Sequence, residues 1–172
     1  MDELDVRLID LFTAEPRVGV LEASRRLVVA RGTVQARLDR LAERGVVTGW
    51  GPRLSPEALG HPVTAFLTLE IRQAAADAGE RGHDVVGAHL AEIAEVLEVH
   101  TITGAGDLLA RVVARSNDDL QRVIDRVLAH PLITRSSTVI ALATQVPYRV
   151  LPLARASVGP GYDASDFLLT DQ

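Results

Sequence analysis

The sequence predicts an α+β protein: an amino-terminal winged helix-turn-helix followed by a ferredoxin-like β-α-β-β-α-β domain. Three observations lead there. Apolar residues recur at helical spacing up to about residue 44, and the arginines gather in the same stretch. From residue 63 the apolar residues alternate at the two-residue period of a strand. The segments beyond that point fall in the order strand, helix, strand, strand, helix, strand.

Leu4, Leu8, Leu11 and Phe12 define a first helix over residues 2–14, which stops before Pro16. A shorter helix fits 20–28, with Leu27 turned inward. A third fits 31–44, with Val34, Leu38 and Leu41 on one stripe and Gly45 ending it. Residues 46–54 read as a short hairpin or wing. The run Ser55-Pro56-Glu57-Ala58-Leu59-Gly60 is a single helical turn with a serine cap and a terminal glycine, a natural connector. The expected domains are therefore 1–54, a linker at 55–61, 62–146, and a tail at 147–172.

In the second domain Val63, Ala65, Leu67, Leu69 and Ile71 alternate with Thr64, Phe66, Thr68 and Glu70, as in a strand with one buried face. Residues 73–82 form an alanine-, glycine- and charge-rich loop. Val86, Leu90, Ile93 and Leu97 mark a helix that yields near Val96 to a strand ending at Thr103. A turn at 104–107 leads into a strand over 108–114. Ser116-Asn117-Asp118-Asp119 is a capping box for a helix with Leu120, Val123, Ile124, Val127 and Leu128 inside. Pro131 ends it, and a last strand runs over 133–145. The tail has three prolines and little periodicity; it is either disordered or an arm on a partner subunit, and only Phe167-Leu168-Leu169 favours packing.

At 172 residues and 47% apolar content, the chain can build one medium core or two small ones. Cysteine is absent, which removes disulfides, thiolate zinc sites and cysteine nucleophiles. No apolar run approaches the roughly 18–20 residues of a membrane span. The acidic start Met1-Asp2-Glu3-Leu4-Asp5 lacks the basic region of a signal peptide, so a cytoplasmic protein is expected. Every cation is an arginine, a bias that genomic base composition explains as readily as phosphate binding. Sign asymmetry says more. Eight arginines from Arg17 to Arg53 face three acids, Glu22, Asp39 and Glu43, while the remainder holds twice as many acids as arginines. A net charge of −5 does not exclude DNA, because phosphates are neutralised by a local cationic face.

In a helix-turn-helix the second helix enters the major groove and the first braces it. With Val34, Leu38 and Leu41 inward, Gly32, Gln35 and Ala36 face the groove, flanked by Thr33 and Arg40. Gln35 has the donor and acceptor that pair with adenine, while Thr33 and Ala36 suit a phosphate or a thymine methyl. Arg31, Arg40, Arg53 on the wing, and Arg25 and Arg26 on the bracing helix suit phosphates. The plainer reading leaves Arg25, Arg37 and Arg44 as solvated or internally paired side chains, with Arg37 meeting Asp5 or Asp10.

The residues Leu4-Asp5, Ile9 and Leu11, the run from Arg31 to Leu41, Gly45-Val46-Val47-Thr48-Gly49-Trp50 and Leu59-Gly60 together resemble the amino-terminal half of the Lrp/AsnC regulators, the leucine-responsive or feast/famine transcription factors. Thr103-Gly104-Ala105-Gly106-Asp107 and His130-Pro131-Leu132-Ile133-Thr134 resemble parts of that family's effector domain. The matches keep their order over roughly residues 2–146. The resemblance implies a sequence-specific regulator of a palindromic double-stranded operator. It also implies a homodimer or higher even-numbered oligomer built through the second domain, and an amino acid or related effector bound between such domains. The family's effector turn falls on Gly104, Ala105, Gly106 and Asp107. Glycines there would bare backbone amides and Asp107 would receive an ammonium group; alternatively the four residues simply form a tight turn. This chain departs from the family at Val28 and Ala30, where glycine and serine are usual. Ala30 cannot cap its helix, a loss of about 1 kcal/mol.

Two other readings compete. One is a sirohaem-decarboxylase-like enzyme on the same scaffold; the other is a non-DNA-binding oligomer partner, for which the missing cap is the only support. His61, His83, His89, His100 and His130 give no metal pair on one helical face. Dinucleotide, phosphate-loop, zinc-helix and nucleophile-elbow motifs are absent. No catalytic residue, cofactor or metal site is assigned.

Overall fold

The computed structural model describes residues 1–72 and 82–164. Residues 73–81 of the loop expected at 73–82, and the apolar end Phe167-Leu168-Leu169, lie outside the described residues. The elements follow as α1 (Glu3–Ala14), α2 (Val20–Arg26), α3 (Arg31–Glu43), β1 (Val63–Ile71), α4 (Gly82–Ala91), β2 (Val96–Thr101), β3 (Leu108–Ala114), α5 (Asn117–Leu128), β4 (Ile133–Ala141) and α6 (Leu151–Ala156). They form two compact units, Met1–Pro52 with the segment from Val146, and Arg53–Gln145.

The first unit is a three-helix head. Asp2 and Asp5 start α1 by a reciprocal box: Asp2 Oδ1 accepts the Asp5 amide at 3.0 Å, and Asp5 Oδ2 accepts the Asp2 amide at 3.1 Å. Leu8 and Leu11 of α1, Ala23 and Leu27 at α2, and Val34 and Leu38 of α3 form its apolar centre. Helices α2 and α3 end in the same hydrogen-bond pattern. The Val29 amide reaches Ser24 O at 3.0 Å after α2, and the Val46 amide reaches Leu41 O at 2.9 Å after α3. This motif needs a left-handed residue just past the helix. After α3 it is Gly45, φ +66°; after α2 it is Val28, φ +55°, a β-branched residue in a region that L side chains avoid.

The expected hairpin at 46–54 is not formed; no strand occurs there. The reason lies in the helix end. The Val46 and Val47 amides both turn back to Leu41 O, so neither is available for a strand ladder. Trp50 instead lies edge-on to Phe12, ring centres 5.5 Å apart. The tail also differs from expectation. It forms α6, which packs on α1, and Tyr162 and Ala164 join the head's apolar cluster.

The second unit is an antiparallel sheet in the order β2-β3-β1-β4. Val63 pairs with Ala114 and Leu69 with Leu108, while Thr64 pairs with Ala141 on the other side. Ala65, Leu67 and Leu69 of β1 are fully buried beneath Val86 and Leu90 of α4 and Val123 and Val127 of α5. Both helices therefore cover one face. Leu97, assigned from its spacing to the inner stripe of the preceding helix, sits on β2 and is exposed, because that helix ends at Ala91. Strand β4 stops at Ala141, short of residue 145. Ser116 caps α5 by accepting the Asp119 amide at 3.1 Å, but the Asp119 carboxylate does not complete the box. It takes the Arg115 amide and guanidinium, with Arg122 beside them. The Arg115 hydrogen bonds hold this buried carboxyl far below the usual carboxylate range.

Candidate nucleic-acid interface and effector turn

Helix α3 divides cleanly. Val34, Leu38 and Leu41 are buried, while Arg31, Gly32, Thr33, Gln35, Ala36, Asp39 and Arg40 are exposed. Ala30 starts it in extended conformation without any side-chain cap, and its carbonyl takes the Thr33 and Val34 amides at 2.9 and 3.1 Å. Gln35 Nε2 donates to Asp39 Oδ1 at 2.8 Å. Asp39 thus lies on the outward face beside Gln35, a neighbour the charge count alone treats only as a counter-charge; the four-residue spacing is its signal.

The arginines separate into groups. Arg31 is exposed, and Arg25 is 68% exposed with only a 3.6 Å approach to Glu22. Arg26 does not belong with them. Its side chain is 15% exposed and donates to Glu22 and Glu15, so it fastens α2 to the end of α1. Arg37 donates to Asp2 and to Asp5 Oδ1, the latter at 2.9 Å, which bears out pairing with Asp5; Asp10 is engaged elsewhere. Arg40 reaches Asp5 at 3.4 Å yet remains 48% exposed, its guanidinium at the rim of the outward face. Arg53 is exposed and belongs to the sheet unit.

These contacts tune the carboxylates. The Arg37 hydrogen bond, with that from the Asp5 amide, holds Asp2 below its ordinary value. Burial pushes Asp5 upward, but the bonds from Arg37 and the Asp2 amide outweigh it and leave Asp5 lowered as well. Asp10, 1% exposed, accepts from Arg155 Nε and Nη2 on Oδ1 at 2.9 and 2.7 Å, and from the Tyr162 hydroxyl on Oδ2 at 2.6 Å. Nothing in the tail's composition signals this arrangement, since Arg155 and Tyr162 lie some 150 residues from their partner.

In the sheet unit Gly104 and Ala105 are exposed at the turn, with Gly106 and Asp107 half-buried. The Asp107 amide donates to Leu69 O at 2.9 Å, and its Oδ2 accepts the Ile71 amide at 2.7 Å. The turn is thereby pinned to the end of β1. A Cβ at Gly106 would lie 2.4 Å from Thr68 Cγ2 and 3.2 Å from Leu69 O, so this close approach requires glycine. Asp107 has a structural task whatever else it binds.

The histidines are dispersed into local roles. His89 Nε2 lies 3.1 Å from Arg126 O at the end of α5, and its ring is 5.1 Å from that of His130. His130 Nδ1 accepts the Leu132 amide, and His61 Nδ1 meets Leu59 O. Among the described residues no group of three or more histidines or acids is placed to hold a metal, and no helix is long and apolar enough to cross a membrane.

Comparison with known proteins matches residues 1–42 to the AsnC-type helix-turn-helix domain and residues 64–151 to the Lrp/AsnC ligand binding domain. The chain is similar to the HTH-type transcriptional regulator FL11 of Pyrococcus horikoshii, with 26% identity over 89% of this chain and 97% of that one. The structure resembles Escherichia coli AsnC at a TM-score of 0.77 and 25% identity, covering 88% of this chain and 99% of the other. It also resembles a feast or famine regulatory protein from Mycobacterium tuberculosis complexed with L-methionine, at a TM-score of 0.71 and 28% identity over 87% and 97% of the two chains.

Proposed function

We propose, from the premise that this chain belongs to the Lrp/AsnC family of transcription regulators, a division of labour between its two units. The protein is a sequence-specific DNA-binding transcription regulator modulated by an amino acid or a related small molecule. The observation that carries the DNA reading is the segregation of α3, with its apolar stripe buried and Arg31, Gly32, Thr33, Gln35, Ala36 and Arg40 outward. In this reading Gln35, steadied by Asp39, reads a base edge in the major groove, and Thr33 and Ala36 make close contacts beside it. Arg31, Arg40, Arg25 and Arg53 meet phosphates, and Arg26 braces.

The sheet unit dimerises and senses the effector. Its helix-free face supports this: Phe66 pairs in register with Val139, and the two are 38% and 64% exposed. A symmetric pair of heads places half-sites about one DNA turn, or a multiple, apart. The effector, an amino acid like the methionine of the mycobacterial relative, is assigned to the turn at Gly104, Ala105, Gly106 and Asp107. The protein works in the cytoplasm as a regulator, without a catalytic role.

The test is fluorescence anisotropy on the DNA upstream of the protein's own gene and on a random duplex, across a salt series, with and without mixed amino acids. Preferential, salt-steep binding is expected. Arg40→Ala should weaken both duplexes alike and lower the salt slope by about 1, whereas Gln35→Ala should cost preference at one base position. Asp107→Asn keeps an acceptor for the Ile71 amide but removes the charge, so it should abolish the amino-acid response while sparing DNA affinity. Binding without preference or salt dependence would overturn the reading.

A further inference from the structure

We propose that the segment 150–164, beyond the helix-turn-helix match and almost wholly beyond the ligand-domain match, is a positioning element of the DNA-reading head, acting through α1 on α3. The proposal rests on the reading of α3 as the DNA-contacting helix. Helix α1 carries two buried carboxylates, and each is committed to a different partner. Asp5, 2% exposed, binds Arg37 and Arg40 of α3. Asp10, 1% exposed, takes three hydrogen bonds, all from the tail: two from Arg155 on α6 and one from Tyr162. Tyr162 and Ala164 also pack against the apolar cluster that holds Val34 and Leu38, the inward stripe of α3. Burial and the Asp10 bond push the Tyr162 hydroxyl above its ordinary value, so it stays a donor throughout the physiological range.

A buried carboxylate left without its donors is costly, so α1 has one favoured seat only while the tail is docked. That seat fixes Asp5, and Asp5 fixes the arginines that frame the outward face of α3. The chain also reaches the head twice, once before β1 and once after β4. The sheet unit is in effect an insertion within the head, joined to it by two covalent connections.

The test uses the full-length protein and its Arg155→Ala, Arg155→Lys and Tyr162→Phe variants. Each is titrated with a duplex selected by the wild type from a random library and with an unselected duplex, while hydrogen exchange is followed in α1, α3, β1 and β3. Arg155→Ala and Tyr162→Phe should lower the preference for the selected duplex by about tenfold, the scale of one mismatched base pair. Unselected binding and its salt slope should hold, since the phosphate contacts remain. Arg155→Lys should recover part of the preference, and α1 and α3 should lose protection while β1 and β3 do not. Unchanged preference and protection would overturn the proposal. So would equal loss on both duplexes with the whole head unprotected, which would make the segment a stabiliser and nothing more. A wild type that selects no duplex would instead overturn the DNA reading, and the exchange data would still decide whether the tail fixes α3.

Discussion

The two units solve the same packing problem by different means. The sheet unit buries a continuous apolar layer, Ala65, Leu67, Leu69, Leu108, Ala110 and Val112 under α4 and α5, with its buried carboxylate Asp119 at the start of α5. The head has a smaller apolar centre and joins its helices through charged hydrogen bonds: Asp5 to α3, Glu15 to α2, Asp10 to the tail. Apolar packing is non-directional and tolerates sliding. Bidentate or multiple hydrogen bonds to a buried carboxylate do not, because a small displacement forfeits the bonds while the burial cost remains. Directional bonds of this kind hold the helices of the head in one arrangement, while the sheet unit relies on the area of its apolar layer.

Trp50 is the only tryptophan and lies edge-on to Phe12, so its fluorescence reports the head, while far-ultraviolet dichroism reports both units. The largest effect is expected from Leu67→Ala at the centre of β1, a loss of about 2–5 kcal/mol. Its urea transition should move by dichroism and leave the Trp50 transition in place. Coincident shifts would mean that the units unfold as one block, which breaks the comparison.

Asp5→Asn should cost the head about 1.5–3 kcal/mol, the worth of a hydrogen bond to a charged group, and move the Trp50 transition first. The sign of its pH dependence is fixed by the lowered carboxyls of Asp2 and Asp5. Their contribution is complete above the ordinary value of 3.8 and drains away as the pH falls from there through the depressed folded values. An acid titration of Trp50 fluorescence should therefore fall below pH 3.8 in the wild type, and less steeply in Asp5→Asn.

The smallest effect is a gain. Val28→Gly should stabilise the head by about 0.5–1 kcal/mol, the left-handed penalty less the added chain entropy of glycine. Val28 is 89% exposed, so almost no packing is lost with it. A thermal midpoint that does not rise would show that the turn relaxes around valine.

Most of this architecture was legible because it rests on local periodicity. Leu4, Leu8 and Leu11 needed only a 3.6-residue repeat to declare α1, and the alternation from Val63 to Ile71 needed only a two-residue one. The missing wing was not legible, since Val46 and Val47 have strand-forming side chains, and only the helix end claims their amides. The outward face of α3 was readable from its buried stripe, but Arg26 was not distinguishable from Arg25 until its partner Glu15, eleven residues away, was in place.

By itself, then, the chemistry of the sequence determined the three helices of the head, the strand-helix order of the sheet unit, most of the buried stripes and the family, because each depends on spacing within one segment or on a run of residues read in order. Tertiary structure alone decided that Arg26 is buried against Glu15 while Arg25 stays exposed, that Gly106 must be glycine against Thr68 and Leu69, and that the tail belongs to the head through Asp10. Those are matters of which distant groups meet in space, and a hydrogen bond between residues 10 and 155 leaves no periodic trace in either segment.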